Sequence, residues 1–276
     1  MDTVGELLGR ERRSDRPALV IGDRERSYHE LITNAYRAGN VLRYHGVGEG
    51  RTVAVAPVPD LPPVLTFLGA AMLGAATRFA PVAGIDAGDR LVLVQAAEQA
   101  EYDPAPGTKL AVFDGVDGRR PSADRTQSDD GDENRRFSSA NQTQSDDDAD
   151  AAETIDWAES VWSENPAFPP TDLDPGTPLL VDDGGVVSHG DALAAATIIA
   201  DRHGIDGGSR VVLRSSLADP GAVVAGLVAP VLVGGVAVLA DPDAGVELQG
   251  DIAVTAGDAP EGAVLDPGDV PLSRAN

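Results

Sequence analysis

The sequence predicts an α/β fold: a layered, mostly parallel sheet flanked by helices. Two stretches carry that expectation. From Ala18 to Pro81, short apolar strands alternate with helices through short links, which implies right-handed parallel crossovers. From Pro178 to Leu239, strand, helix, strand, helix and strand follow again. A third observation sets the limits of the fold. At 276 residues and 42% apolar content the chain can bury a sizeable core, yet aromatics are only 4%, so Val, Leu and Ala must build it.

Taken in order, Ala18–Ile21 is a strand, Gly22-Asp23 a turn, and a second strand ends near Arg26. Ser27 and Glu30 form a capping box that opens a helix. On it Leu31, Ile32, Ala35, Tyr36, Ala38, Val41 and Leu42 recur with helical spacing, and Gly46 stops it. Arg51–Ala56 reads as a strand, and Asp60 with Pro62 and Pro63 marks a helix that is apolar nearly all round through Leu73. Strands are expected at Thr77–Pro81, Leu91–Val94 and Leu110–Phe113.

The chain then divides into three parts: residues 1–117, an acidic low-complexity insertion at 118–154, and 155–276 with a loop-rich tail. The insertion has one aromatic residue, no aliphatic side chain larger than alanine, and a repeated TQSDD (Thr126–Asp130 and Thr143–Asp147). Such a segment cannot bury enough apolar surface to offset its ordering entropy, so it is expected to be disordered. Beyond it, a short helix is expected at Ile155–Trp162.

Pro178–Gly204 is the most informative stretch. Leu179–Val181 forms a strand, Asp182-Asp183-Gly184-Gly185 a tight turn, and Val186-Val187 leads to a helix capped by Ser188, with Asp191 three residues on and Gly204 as its stop. A strand, a glycine turn and a helix N-terminus commonly form a phosphate site. Here the turn carries two carboxylates and no lysine, and would repel a polyphosphate. Arg210–Leu213, Pro220–Leu232 and Val236–Leu239 complete a strand–helix–strand unit, and Ile252–Val254 is one further short strand.

The formal charge is −24, and Lys109 is the one lysine among 21 basic residues. That charge argues against nucleic acid and anionic membranes as partners. Aspartate in excess with lysine nearly absent fits a salt-accumulating halophile, whose high salt screens the self-repulsion. No cysteine is present, which removes disulfides, thiolate metal sites and cysteine nucleophiles. The start of the chain has no apolar signal segment, and the longest apolar run, Gly221–Ala240, is broken by Pro230, Gly234 and Gly235. A cytoplasmic protein is expected.

The order of these elements resembles the N-terminal part of the adenylate-forming superfamily, which includes AMP-forming acyl-CoA synthetases, peptide-synthetase adenylation domains and luciferases. The residues that carry the resemblance begin with RPALVIGDRERSYHELITNAYRAGNVLRYHGVGEGRTVAVAPV and continue with FLGAAMLGAATRFAPV. After the insertion they are GVVSHGDALAAA and RVVLRSSLADPGAVVAGLVAPVLVGGVAVLADP. The resemblance implies the first half of that family's large N-terminal domain. It also exposes a departure. The family's phosphate loop is rich in Ser, Thr and Gly and ends Pro-Lys-Gly, whereas here Val-Asp-Asp-Gly-Gly alone separates Leu180 from Val186. The family's aromatic-Gly-x-Thr-Glu motif, ribose aspartate and lid lysine are not recognisable either.

The expectation is therefore a truncated, catalytically inactive relative that serves as an acyl- or partner-binding module. The alternative is one subunit of a split AMP-forming ligase completed by a partner chain. No catalytic residue, metal ligand, ATP or magnesium site is expected, and a CoA or acyl ligand stays open. Exposed apolar surface where a missing half would pack suggests a homodimer or a complex with a full-length synthetase. The candidate site residues are the degenerate phosphate turn, Asp182, Asp183, Gly184 and Gly185, and His189 as a possible cleft residue. For His189, a partly solvated place in the first helical turn competes with the cleft. His29, His45 and His203 lie near helix ends, Ser188 is a cap and not a hydrolytic nucleophile, Gly234-Gly235 is a turn, and Arg78 is expected on an exposed strand edge rather than on an anion.

Overall fold

The computed structural model describes residues 1–81, 88–114, 154–169, 171–240 and 250–275. The expected insertion at 118–154 lies outside the described residues except for Thr154. The fold is α/β as the sequence predicts, with the mostly parallel strands in two sheets flanked by helices.

The first half of the chain starts with two short 3-10 turns (Val4–Leu8 and Arg10–Arg12). The hairpin β1 (Pro17–Ile21) and β2 (Arg24–Ser27) leads to α1 (Tyr28–Tyr44), β3 (Thr52–Val55), α2 (Leu61–Leu73), β4 (Ala76–Arg78), β5 (Asp89–Gln95) and β6 (Lys109–Phe113). After the insertion come β7 (Thr154–Asp156) and α3 (Trp157–Ser163). A strand thus occupies the first residues of the helix expected at Ile155; Asp156 is that helix's N-cap and accepts the N–H of Glu159. A second hairpin, β8 (Pro178–Asp182) and β9 (Gly185–Ser188), leads to α4 (His189–His203) and β10 (Arg210–Leu213). The apolar helix after it runs through α5 (Pro220–Val223), a π-helical turn (Val224–Val228) and α6 (Ala229–Val233). Then follow β11 (Val236–Leu239), β12 (Ile252–Val254) and β13 (Ala263–Leu265). Three residues long and half polar in its surroundings, β13 gave no sequence signal.

The two halves repeat one plan: hairpin, helix, strand, helix, strand. Ser27 and Ser188 cap α1 and α4 by accepting the N–H of Glu30 and Asp191. Asp60 and Asp219 cap α2 and α5 ahead of prolines, and Gly74 and Gly234 close those helical segments at φ 71 and 80. The halves also exchange strands. β1 of the first half pairs in parallel with β11 of the second, while β8 pairs in parallel with β4. One sheet therefore runs β13-β12-β10-β11-β1-β2 and the other β7-β6-β5-β3-β4-β8-β9, each parallel except for its closing hairpin strand. Segments 1–117 and 155–276 are continuous in sequence but interleaved in space.

One hydrophobic cluster joins the helices to one face of each sheet. All 13 residues of α2 are buried, as its apolar sequence requires. It meets α1 closely: a Cβ placed on Gly69 would lie 2.8 Å from the backbone nitrogen of Gly39. Smaller clusters sit on the opposite faces, Val20, Val212, Val236, Val238 and Ala240 on one sheet and Ala54, Val92, Val94, Leu110 and Val112 on the other. Alternation along β5 and β11 sorts successive residues between these clusters. Among the described residues the exposed large apolar side chains are Met1 at the chain start, Tyr44 in α1, Ile198 in α4 and Val264 in β13.

Candidate phosphate-turn site

The site is built on the second hairpin. Asp182 faces Gly185 in register, so Asp183 and Gly184 form a two-residue loop, and both are exposed. The Asp182 carboxylate accepts the Gly184 N–H at 2.9 Å, a local bond that shapes the turn. Gly185 has φ 118, a conformation that side chains on Cβ disfavour.

Residues 274 and 275 close over this turn. Arg274 Nη1 donates to both oxygens of Asp182, at 2.6 and 2.7 Å. Val186 and Ala275 exchange backbone hydrogen bonds at 2.9 Å each way, adding an antiparallel bridge to β9. A Cβ on Gly184 would overlap the Arg274 guanidinium, and one on Gly185 would lie 2.5 Å from the Ala275 carbonyl oxygen. Small residues here admit a covering backbone, and the N–H groups of Gly184 and Val186 already have acceptors. The turn thus offers a carboxylate pair, one of them neutralised from within the chain, in place of a cradle of backbone donors. Gly185→Ala is expected to lower stability by about 2 kcal/mol in urea unfolding, from strain and collision together. Arg274→Ala, which removes a partly exposed ion pair, is expected to cost less than about 1 kcal/mol.

His189 is the first residue of α4 and is fully buried. Its Nδ1 accepts the backbone N–H of Val4 at 3.1 Å, which ties the N-terminal 3-10 turn to the start of α4. Nδ1 as acceptor leaves the proton on Nε2, a buried atom without a partner among the described residues. Burial pushes the imidazole down to about 4, so it is neutral at pH 7. It is therefore neither a partly solvated residue of the helical turn nor a lining residue of the cavities described below.

The other singled-out residues separate in space. Ser188 Oγ accepts the Asp191 N–H at 3.1 Å and donates to its carboxylate at 2.5 Å. Gly234 takes the left-handed conformation, and the Gly235 carbonyl accepts the Tyr28 hydroxyl at 2.8 Å. Arg78 is not at an exposed edge: β4 lies inside the sheet, and the guanidinium pairs with the fully buried side chain of Asp89. The described residues contain no cluster of His, Cys, Asp and Glu suited to a metal, and no helix long and apolar enough to cross a membrane.

Two cavities escaped the sequence reading. One, of about 900 Å³, lies between the N-terminal 3-10 turns, α1, α2 and residues 167–169, 171 and 173. Leu8, Tyr36, Met72, Phe168 and Leu173 supply apolar wall, and Arg10, Glu6 and Glu11 its charged groups. Tyr36 and Phe168 pack with ring centroids 5.4 Å apart. The other, of about 390 Å³, lies on the polar side of α1 against Trp162. Five of its side chains recur at positions 29, 30, 33, 34 and 37 on one face of α1, a signal the sequence carried but which reads as a solvated surface.

Two mostly parallel sheets, each closed by a hairpin strand and flanked by capped helices, define an α/β protein. More narrowly, the fold is that of the N-terminal part of AMP-forming acyl-CoA ligases. A benzoate CoA ligase from Burkholderia xenovorans LB400 superposes with a TM-score of 0.68 at 16% identity, over 92% of this chain and 50% of that one. The anthranilate CoA ligase AuaEII in complex with anthranoyl-AMP gives 0.67 at 15%, over 92% and 49%. The N-terminal domain of FACL13 from Mycobacterium tuberculosis gives 0.62 at 18%, over 88% and 57%. The chain thus spans about half the length of the ligases it resembles. No protein-family profile matches the sequence, and no curated protein matches it either.

Proposed function

We propose that this chain is a ligase-like module that does not adenylate and instead holds an acyl or aryl carboxylate. One observation carries the first part. Where a ligase-like fold would present a phosphate loop, β8 and β9 are joined by Asp183-Gly184 and covered by Arg274 and Ala275. Adenylyl transfer depends on positioning and charge neutralisation, and this turn adds negative charge with no lysine beside it. The comparison with AuaEII, whose bound ligand is anthranoyl-AMP, supports a carboxylate-derived ligand for the module. The 900 Å³ cavity supports a place for the acyl or aryl part, apolar on most sides, with the Arg10 guanidinium and the Glu6 and Glu11 carboxylates also on its wall.

The same observation weighs against a split ligase. The shortened turn belongs to the half that this chain supplies, so a partner bringing the later half would not restore the loop. A role in binding a full-length synthetase, or a second copy of the chain, is compatible with the same fold.

The purified protein is expected to give no ATP–pyrophosphate exchange over a panel of aliphatic and aromatic carboxylic acids, with or without a co-purified partner; measurable exchange refutes the reading. Calorimetry with fatty acids and acyl-CoA is expected to detect binding that Phe168→Ala weakens. Silence from all of these ligands leaves the partner-binding role.

A further inference from the structure

The smaller cleft stands apart from the phosphate turn and from the apolar cavity. It is lined by Arg26, His29, Glu30, Thr33, Asn34, Arg37 and Trp162. Arg26 comes from β2, five of the others from the first three turns of α1, and Trp162 from α3, so three elements fix its walls. Two arginines and a histidine meet there in a chain whose acidic residues outnumber its basic ones by 45 to 21.

The one carboxylate in the lining is already engaged. Glu30 Oε2 accepts the Ser27 N–H at 2.8 Å and lies 3.1 Å from the Ser27 hydroxyl in the capping box. Arg37 is oriented by donating from Nη1 to the Asn34 side-chain oxygen at 3.3 Å. Trp162 is set by an edge-on contact with the buried Trp157, ring centroids 6.0 Å apart and planes at 89°. The cleft also lies beside the N-terminal turn of a 17-residue helix, whose dipole adds positive potential.

We propose that this cleft binds a small organic dianion, a phosphate monoester or a dicarboxylate, with a planar group placed against Trp162. Guanidinium groups suit both oxyanions because their paired N–H donors match two oxygens at once. A volume of about 390 Å³ admits a single-ring molecule and excludes a polymer. The long-range repulsion from the −24 charge is screened beyond about 10 Å at 0.1 M salt, so the local cations decide. This proposal is independent of the acyl-binding reading.

The test is titration of the full chain with phenyl phosphate, phthalate and inorganic phosphate at about 0.1 M salt, by calorimetry and tryptophan fluorescence. Phenyl phosphate or phthalate is expected to bind, and the stronger of the two identifies the oxyanion class. Arg26→Gln and Arg37→Gln are each expected to weaken that binding at least tenfold with the circular dichroism unchanged, and Arg24→Gln, outside the cleft, to leave it as it was. Trp162→Phe is expected to abolish the fluorescence change while calorimetric binding persists. Absence of binding by both aromatic dianions at millimolar concentration overturns the proposal, as does binding that neither cleft variant weakens.

Discussion

Arg78→Ala is expected to destabilise the protein by about 3–5 kcal/mol, the largest effect of any single polar substitution proposed for it. The Asp89 side chain is fully buried at the start of β5, and the Arg78 side chain, 14% exposed, pairs with it from the end of β4. Since β3 lies between those strands, the pair braces the sheet across a strand. Arg78 Nη1 also donates to the Ala80 carbonyl at 3.0 Å, which holds the chain as it leaves β4. Truncating the arginine takes its charge away from a buried carboxylate, and that loss accounts for most of the effect. Replacing both partners, Arg78→Met with Asp89→Leu, removes the charge as well and is expected to recover much of it. Urea unfolding of the two variants checks this. A loss under 1 kcal/mol for Arg78→Ala would show that the carboxylate reaches water.

The second large effect is a hidden pH dependence. His189 is depressed to about 4 by burial, below its ordinary 6.5, so the unfolded chain binds the proton more readily. Its contribution to stability is complete above pH 6.5 and is lost as pH falls towards 4, by up to about 3 kcal/mol. Asp60, the cap of α2, is raised by burial from 3.8 to about 6, against the lowering effect of the Leu61 N–H it accepts. There the folded chain binds the proton more readily, so that contribution is complete below 3.8 and is lost as pH rises through 6. The two groups oppose each other across the same window. Asp60→Asn is expected to expose the histidine, with stability relative to the parent falling between pH 6.5 and 4. His189→Asn keeps an acceptor for the Val4 N–H and is expected to show the opposite slope. Chemical denaturation at pH 7, 5.5 and 4 checks both, and parallel curves for parent and variants would remove the assignment.

The legible features are those in which the partners lie within one turn of each other. Ser27 with Glu30, Ser188 with Asp191, Asp60 ahead of two prolines, and Gly204 after the last apolar residue each name a helix end in the sequence alone, and each end falls there. Apolar runs such as Thr52–Val55 and Val236–Leu239 gave the strands in the same way. The repeated plan of the two halves was not seen, because their apolar positions are filled by interchangeable Val, Leu and Ala and the hairpin turns differ. Arg78 was misplaced because its partner comes from a strand that is not its neighbour.

The sequence by itself determined the α/β class, the order of elements, the ligase-like resemblance and the short acidic turn between Leu180 and Val186. These are local quantities: periodicity, caps, turn residues and the charge of a short segment. Only the tertiary structure decided that the halves exchange strands, that Arg274 and Ala275 cover the β8–β9 turn, that His189 accepts the Val4 N–H in the core, and that Arg26, His29 and Arg37 share a cleft with Trp162. Each of those contacts joins residues far apart in the chain, or on separate elements, and burial and pairing at such distances are set by packing of the whole core rather than by any stretch of it.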